Sequence, residues 1–232
     1  FLDKQNLDQR QHDFVFVRDL FVSDQSGKII ISKFSEEARQ VEADIMQTML
    51  ESMGYKTIRI PEDSSATAEG GEFYLCPEDK ILFSGECRNN LKGAEWVAEE
   101  FNVDELVIMK SKAFHLDTLF TPVLNKENRL VAMIACTSLM ENDSVNNLKS
   151  FAKRKNIELV EVEPEDAIGT DKELGEFAVN CQPLPGYLIG PTRFRSNKVA
   201  PLLKELEVMH ITVPTTQFRL SGGAIHCLTN EL

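Results

Sequence analysis

The sequence has no apolar run approaching the ~18 residues that a membrane-spanning helix needs, and no stretch laid out like a signal peptide. Phe1 is not a natural start, so a targeting segment ahead of it would be invisible, and a missing N-terminal segment is expected. CxxC pairs are also absent. The five cysteines (76, 87, 136, 181 and 227) are odd in number and widely spaced, which fits neither a disulfide framework nor a zinc pattern. A reducing cytoplasm is the expected setting. Basic residues are short as well: 25 Lys and Arg face 37 Asp and Glu, a net charge of −12. That argues against a nucleic-acid partner, whose phosphates call for a basic patch. It is compatible with a small cationic substrate, although an acidic surface also serves solubility alone. No linker or low-complexity tract divides the 232 residues, so one domain over 1–232 is expected, long enough for a sizeable core.

What is present repeats. Residues 1–12 are polar and read as a loop. Phe14–Val22 and Lys28–Phe34 then read as strands around the turn Asp24-Gln25-Ser26-Gly27. Ser35 is a candidate N-cap for a helix over Glu36–Met53, with Val41, Ile45, Met49 and Leu50 on one face and Gly54 closing it. Thr57–Ile60 is a short strand. The order strand, strand, helix, strand returns three times. The second unit has Phe73–Cys76, Ile81–Phe83, Gly93–Phe101 and Glu105–Met109. The third has Leu119–Val123, Leu130–Ala135, Val145–Lys155 and Glu158–Val162. The fourth has Phe177–Cys181, Tyr187–Ile189, Lys198–Leu206 and His210–Val213. The run Ser221-Gly222-Gly223-Ala224-Ile225-His226-Cys227-Leu228 reads as the first strand of an incomplete fifth unit. Such a repeat buries each unit's apolar face against its neighbours.

Polar residues stand where the units begin. The first has Asp13 and Asp19, the second Glu69 in Glu69-Gly70-Gly71-Glu72, the third His115 and Asp117, and the last fragment Cys227. Each has a plain structural alternative. Asp19 is also a turn carboxylate, Glu69 a loop residue, His115 and Asp117 a structural pair on one side of a strand, and Cys227 a buried strand cysteine. Together they form one thiol, one imidazole and several carboxylates. A thiol needs a base or a cation to become a nucleophile, and an imidazole shuttles protons near neutrality. Carboxylates converging on one pocket need a cation between them, and a planar guanidinium suits several of them. The set points to a cysteine attacking a guanidinium carbon. His226, next to Cys227 on an expected strand, should face the other way. Met46, Met49 and Trp96 read as core, and Cys76, Cys87, Cys136 and Cys181 as structural.

These residues resemble the guanidino-group-modifying enzymes of the pentein fold. That superfamily includes arginine deiminases, dimethylarginine dimethylaminohydrolases, agmatine deiminases and amidinotransferases. The likeness rests on Phe-Val-Arg-Asp at 16–19, Glu-Gly-Gly-Glu at 69–72, Arg88-Asn89-Asn90 with Gly93-Ala94, His-Leu-Asp-Thr at 115–118 and Gly-Gly-Ala-Ile-His-Cys-Leu-Thr at 222–229. It implies an α/β propeller of five ββαβ units about a pseudo-fivefold axis. It also implies roles. Cys227 attacks the guanidino carbon. His115 protonates the departing nitrogen and then activates water against a thiouronium intermediate. Glu69 holds the guanidinium and supports the proton transfers, and Asp19 and Asp117 hold its flanking nitrogens. Arg88, with Arg39 as a second candidate, pairs with a substrate α-carboxylate. The chemistry implies neither metal nor organic cofactor.

Within the superfamily, compact length and the Asp13…Phe-Val-Arg-Asp segment look like dimethylargininase. Asp117 departs from that group, and Arg18 stands where those enzymes tend to have an acid. An unmethylated nitrogen would satisfy Asp117 better, since an unpaired buried carboxylate is costly. The expectation is therefore a hydrolase giving citrulline and ammonia from arginine or a close derivative, on to ornithine in a dihydrolase. The alternatives are dimethylarginine hydrolysis, amidino transfer to an amine, and a non-catalytic binding protein on the same fold. A homo-oligomer is compatible with all of these.

Overall fold

The computed structural model describes residues 11–232, so the loop expected over 1–12 lies almost wholly outside them. The first unit consists of β1 (Phe21–Ser23), β2 (Ile29–Ile31), α1 (Gln40–Ser52) and β3 (Thr57–Arg59). The second has β4 (Phe73–Cys76), β5 (Ile81–Gly85), α2 (Leu91–Glu100) and β6 (Glu105–Met109). The third has β7 (Phe120–Leu124), β8 (Leu130–Ala135), α3 (Asn142–Lys155) and β9 (Glu158–Glu161). A small hairpin, β10 (Gly169–Thr170) and β11 (Glu173–Leu174), precedes the fourth: β12 (Gln182–Leu184), β13 (Tyr187–Gly190), α4 (Val199–Glu205) and β14 (Met209–Thr212). A short α5 (Thr216–Leu220) leads to the final segment.

Every unit builds the same three-stranded sheet. An antiparallel hairpin comes first, and the strand after the helix adds parallel to the hairpin's second strand. The parallel addition needs a crossover, which the helix supplies. β2, β5 and β7 are buried at every position, which is why they read as unbroken apolar runs. Helices seal the outer faces. Ala94 and Val97 of α2 pack with Phe73 and Leu82, and Leu148 and Phe151 of α3 with Ile134 and Val160. Met46 is buried, Trp96 packs partly buried against the core, and Cys76, Cys136 and Cys181 are buried. Cys87 departs from its expectation: it is exposed.

The departures concentrate at the unit junctions. The apolar run from Phe14, expected as strand, forms two 3₁₀ turns, His12–Val15 and Val17–Leu20, and the strand starts at Phe21. Tertiary bonds decide this. Arg18 N–H donates to the Cys227 carbonyl at 3.1 Å, and the Asn230 amide donates to the Val17, Arg18 and Phe21 carbonyls at 3.2, 3.4 and 2.9 Å. Residues 177–181 are not a strand either. Phe177 has φ 56° and Asn180 N–H turns back to the Phe177 carbonyl at 2.9 Å, so the first strand of unit four begins at Gln182. Around Cys227 the chain coils: Leu228 N–H donates to Ala224 O at 3.1 Å and Thr229 N–H to His226 O at 3.1 Å. Ser35 does not cap α1, since both its N–H and its hydroxyl donate to Glu69 instead (2.9 and 2.8 Å). Val41 is exposed, and Ala43, Met46 and Leu50 form the buried face. Among the described residues no helix is long and apolar enough to cross a membrane.

Candidate active site

A single 3₁₀ turn comes just before the first strand of units one, two and three. Val17–Leu20 carries Asp19, Gly70–Glu72 follows Glu69, and Leu116–Thr118 follows His115. Each junction therefore delivers a polar side chain shortly before its unit's first strand. Gly71 is what allows the three to approach. A Cβ there would lie 2.6 Å from Asp19 Oδ1 and 2.7 Å from His115 Nδ1, closer than any side chain permits.

The result is a cavity of about 130 Å³ lined by Asp13, Asp19, Glu36, Glu69, Arg39, Arg88, His115 and Cys227, with Phe16, Phe114, Ser221 and Gly222 completing the wall. Of the eight residues proposed from sequence, seven line it. The eighth, Asp117, is fully buried and lies outside the lining, against Cys227.

His115 is clamped between carboxylates. Its Nε2 is 2.9 Å from Glu69 Oε2 and its Nδ1 is 3.4 Å from Asp19 Oδ1. Burial alone would pull this imidazole down, but Asp19, Glu69 and Glu72 outweigh it and push it up to about 10. The ring is an imidazolium at neutral pH, an acid ready to donate. Glu69 is itself buried, which disfavours its charge, yet His115 and the two Ser35 donors hold it below the usual carboxylate range.

Cys227 has different neighbours. Its Sγ is 3.2 Å from Asp117 Oδ2 and accepts from Asn180 Nδ2 at 3.2 Å. Burial, followed by the charges of Asp117 and Asp19, pushes the thiol well above its ordinary value. Among the described residues no cation is hydrogen-bonded to it, and the thiol is held protonated in the free protein. Burial and Asp19 also push Asp117 up to about 7, against the pull of His115. Its Oδ2 meets His226 Nδ1 at 2.9 Å. The coil around Cys227 thus brings His226 and Cys227 to the same carboxylate oxygen, which overturns the expectation that they face apart.

Arg39 has its guanidinium engaged. Nη1 donates to Asp19 Oδ2 at 2.8 Å, Nε and Nη2 to Glu42 Oε2 at 3.0 and 2.9 Å, and Nη2 to the Asp13 carbonyl at 3.4 Å. It lies over the Phe34 ring as well, 4.6 Å from the centroid. Its guanidinium is thus already paired with two carboxylates, Asp19 and Glu42. Arg88 is half-buried and pairs through Nη1 with the exposed Glu36, a pair that water and another anion can compete for.

Sequence reasoning missed two residues that shape the site. Glu72 Oε1 accepts from the Cys87 and Arg88 amides (3.0 and 2.7 Å) and Oε2 from the Leu116 amide (2.8 Å), tying junction two to junction three. Asn180 spans the thiol. Its Nδ2 donates to Cys227 Sγ and the Asp117 carbonyl, and its Oδ1 accepts from the His226 and Cys227 amides at 3.0 and 3.3 Å. The repeat itself was the signal for Asn180: it is what junction four contributes. Among the described residues no group of three or more His, Cys, Asp or Glu side chains is placed to hold a metal ion. Three buried polar atoms here, Asp19 Oδ1, Asp117 Oδ1 and His115 Nδ1, have no hydrogen-bond partner among the described residues.

Against known proteins, a model of the family described as N,N dimethylarginine dimethylhydrolase, eukaryotic, matches residues 2–232. The chain belongs to that family. Its membership places it among the pentein-fold guanidino-modifying enzymes, as the motifs imply. No curated protein sequence matches it. Among solved structures, AgrE is 22% identical, with a TM-score of 0.76 over 94% of this chain in its ternary complex with ornithine and NAD+ and 0.78 over 97% when unliganded. The chain spans about a third of AgrE's length (30 and 31%). The N-terminal domain of ArgZ, an arginine dihydrolase from the ornithine-ammonia cycle in cyanobacteria, was solved as a cysteine-to-serine mutant bound to substrate. It is 22% identical with a TM-score of 0.76, over 93% of this chain and 74% of that one. A dimethylarginine dimethylaminohydrolase adduct with 4-chloro-2-hydroxymethylpyridine is 20% identical, with a TM-score of 0.69 over 97% of this chain and 81% of that one. At these identities the likeness is one of fold: a mixed α/β architecture of small sheets shared with the dihydrolases and the family.

Proposed function

We propose that the protein hydrolyses the guanidino group of arginine or a close derivative, with Cys227 as nucleophile. The observation that carries this is the cavity itself: a thiol and an imidazolium share a wall with Asp13, Asp19, Glu36 and Glu69. Acids outnumber cations there, so the cavity favours a cationic ligand, and a guanidinium presents donors on every edge.

On this reading the guanidinium sits against Asp19 and Glu69, and Asp117 Oδ1 supplies a further acceptor. Its carbon faces Cys227 Sγ, and its charge favours the thiolate beside it. Sulfur attacks the carbon, and His115 donates its proton to the departing nitrogen, which leaves as ammonia. His115, now neutral, takes a proton from water, the hydroxide adds to the thiouronium carbon, and the adduct expels sulfur and releases its remaining hydroxyl proton to solvent to give citrulline. Asp19 and Glu69 are what make His115 an acid first and a base second. Arg88 exchanges Glu36 for the substrate α-carboxylate, and Arg39 holds Asp19 in place. A mutant N-terminal domain of ArgZ has been solved covalently bonded to a reaction intermediate, which supports a covalent route. We take the chain as one catalytic domain, with its four units and the Cys227 segment arranged about a pseudo-fivefold axis.

A second reading, hydrolysis of a methylated arginine to citrulline and a methylamine, is favoured by the family match over residues 2–232. Citrulline assays with arginine, monomethylarginine and dimethylarginine separate the two. Turnover of arginine alone supports the first, and turnover of a methylated arginine alone supports the second. No turnover of any of the three overturns both.

A further inference from the structure

The mechanism above leaves one proton without a destination. The Cys227 thiol is protonated, and His115, already an imidazolium, cannot accept from it. His115 also makes no hydrogen bond to the sulfur, whose two side-chain partners are Asn180 Nδ2, a donor, and Asp117 Oδ2. The carboxylate is the one acceptor within reach. It is held there by a residue that the mechanism does not otherwise use. His226 is 1% exposed, its Nδ1 lies 2.9 Å from the same Oδ2, and its ring stacks on Tyr74 with centroids 4.2 Å apart.

We propose that His226 is a positioning residue that fixes Asp117 as the base for the Cys227 thiol. This rests on the reading of Cys227 as the nucleophile. The His226 Nδ1–H donates to Oδ2 and favours the ionised carboxylate. As the guanidino carbon approaches, the S–H bond breaks and an O–H bond forms on Asp117 Oδ2, while the sulfur pair forms the S–C bond. When water has displaced sulfur, the proton returns from Oδ2 to the thiolate. No oxidant or co-reactant is needed, and the two histidines divide the work: His115 serves the leaving nitrogen and the water, His226 the thiol.

The surroundings fit this division. Asp117 and Cys227 are faced by Asp19 and Arg18 from the turn before β1, Tyr74 from β4, His115 from its own turn, and Asn180 from the junction before β12. Arg18 does not neutralise the carboxylate directly. Its Nε donates to the His226 carbonyl at 3.3 Å, Nη1 to Glu231 at 2.6 Å and Nη2 to Gln182 at 2.7 Å. Burial, with Arg18 and His115 nearby, holds His226 well below its ordinary value. It is therefore a neutral donor, which anchors a carboxylate without trapping it as an ion pair. His226 also lines a second, smaller cavity with Arg18, Tyr74 and Glu231.

The test compares His226→Asn, whose amide N–H replaces Nδ1–H, with His226→Gln and His226→Phe, which do not place a donor there. Iodoacetamide labelling of Cys227, followed by mass spectrometry across pH 5 to 10, reads the thiol without requiring turnover. The wild-type labelling rate should rise through about pH 7 as Asp117 ionises. Losing a hydrogen bond to a charged acceptor should move that inflection alkaline by about one pH unit or more and cut labelling at pH 7 about tenfold. His226→Asn should restore the profile. On any substrate turned over, kcat should fall in Gln and Phe with KM near wild type. An unmoved inflection in folded Gln or Phe variants, or an Asn variant as impaired as Gln, overturns the proposal. So does a wild-type profile without the inflection. If the inflection moves as expected but no guanidino compound is hydrolysed, the His226 assignment stands and the substrate reading fails.

Discussion

Two buried histidines, each beside a carboxylate, are driven in opposite directions. His115 is raised to about 10 and His226 falls well below its usual value. Burial lowers both. The difference lies in the company each keeps. Asp19, Glu69 and Glu72 surround His115, two of them within 3.4 Å. His226 has one carboxylate, Asp117, that is itself protonated up to about pH 7, and Arg18 and His115 oppose its charge. A pair within hydrogen-bond reach therefore says little about protonation. What decides is whether the acid partner is held ionised. Glu69 is, by Ser35 and His115. Asp117 is held less firmly, because its remaining contacts are a thiol and a neutral ring.

The sharpest way to break the comparison is to remove the proposed nucleophile. Cys227→Ser should lower citrulline formation by about 10⁴-fold or more, since a serine hydroxyl is a far weaker nucleophile. Retained activity would refute the nucleophile assignment. Next, Glu69→Gln removes one of the charges that hold His115 protonated. Turnover should fall about 10²- to 10⁴-fold, and the alkaline limb of the pH–rate profile should move down from the value near 10 set by His115. A limb that stays in place would show that Asp19 suffices.

Stability offers a test in two separate pH windows, since both groups bind protons more tightly in the folded protein. His115 is raised on folding, so its contribution is complete below about pH 6.5 and is lost as pH rises towards about 10. Asp117 is raised as well, but it is an acid. Its burial costs stability as pH rises from about 4 to about 7. Urea midpoints for wild type, His115→Gln and Asp117→Asn should separate the two windows; the alkaline decline should flatten in the first variant and the acid-side decline in the second.

Glu72→Gln tests the frame rather than the chemistry. It sets an amide NH₂ against one of three backbone donors and should cost about 1–3 kcal/mol, seen as a lower Tm. The smallest effect on stability belongs to Arg88→Ala, within about 0.5 kcal/mol, because its partner Glu36 is exposed. Its KM for arginine should nonetheless rise about tenfold if it binds the α-carboxylate. An unchanged KM would remove it from the site.

Much of this was legible in the sequence because repeated units impose periodic patterns. The hairpins and helices of units two and three fall within a few residues of their expected places, and seven of eight proposed residues share one cavity. The illegible parts lie where distant segments override local preference. Phe-Val-Phe-Val at 14–17 is an apolar run that reads as strand, but bonds to Cys227 and Asn230 coil it. Residues 177–181 look extended, and reading them so turned Asn180 into a strand residue. The same error at 222–229 sent His226 to the wrong side. In each case a hydrogen bond spanning much of the chain settles a conformation that a local window cannot contain.

The bonds from Arg18 to His226 and Cys227, 208 and 209 positions away, have a further consequence for how the protein comes to be active. Contacts this distant close late, since the chain entropy they cost is recovered only once the intervening units have assembled. On the proposed reading, a partly folded molecule carries Cys227 as an ordinary unpositioned thiol, with no Asp117 to take its proton and no imidazolium opposite. Activity on that reading would report complete folding rather than the formation of any single unit.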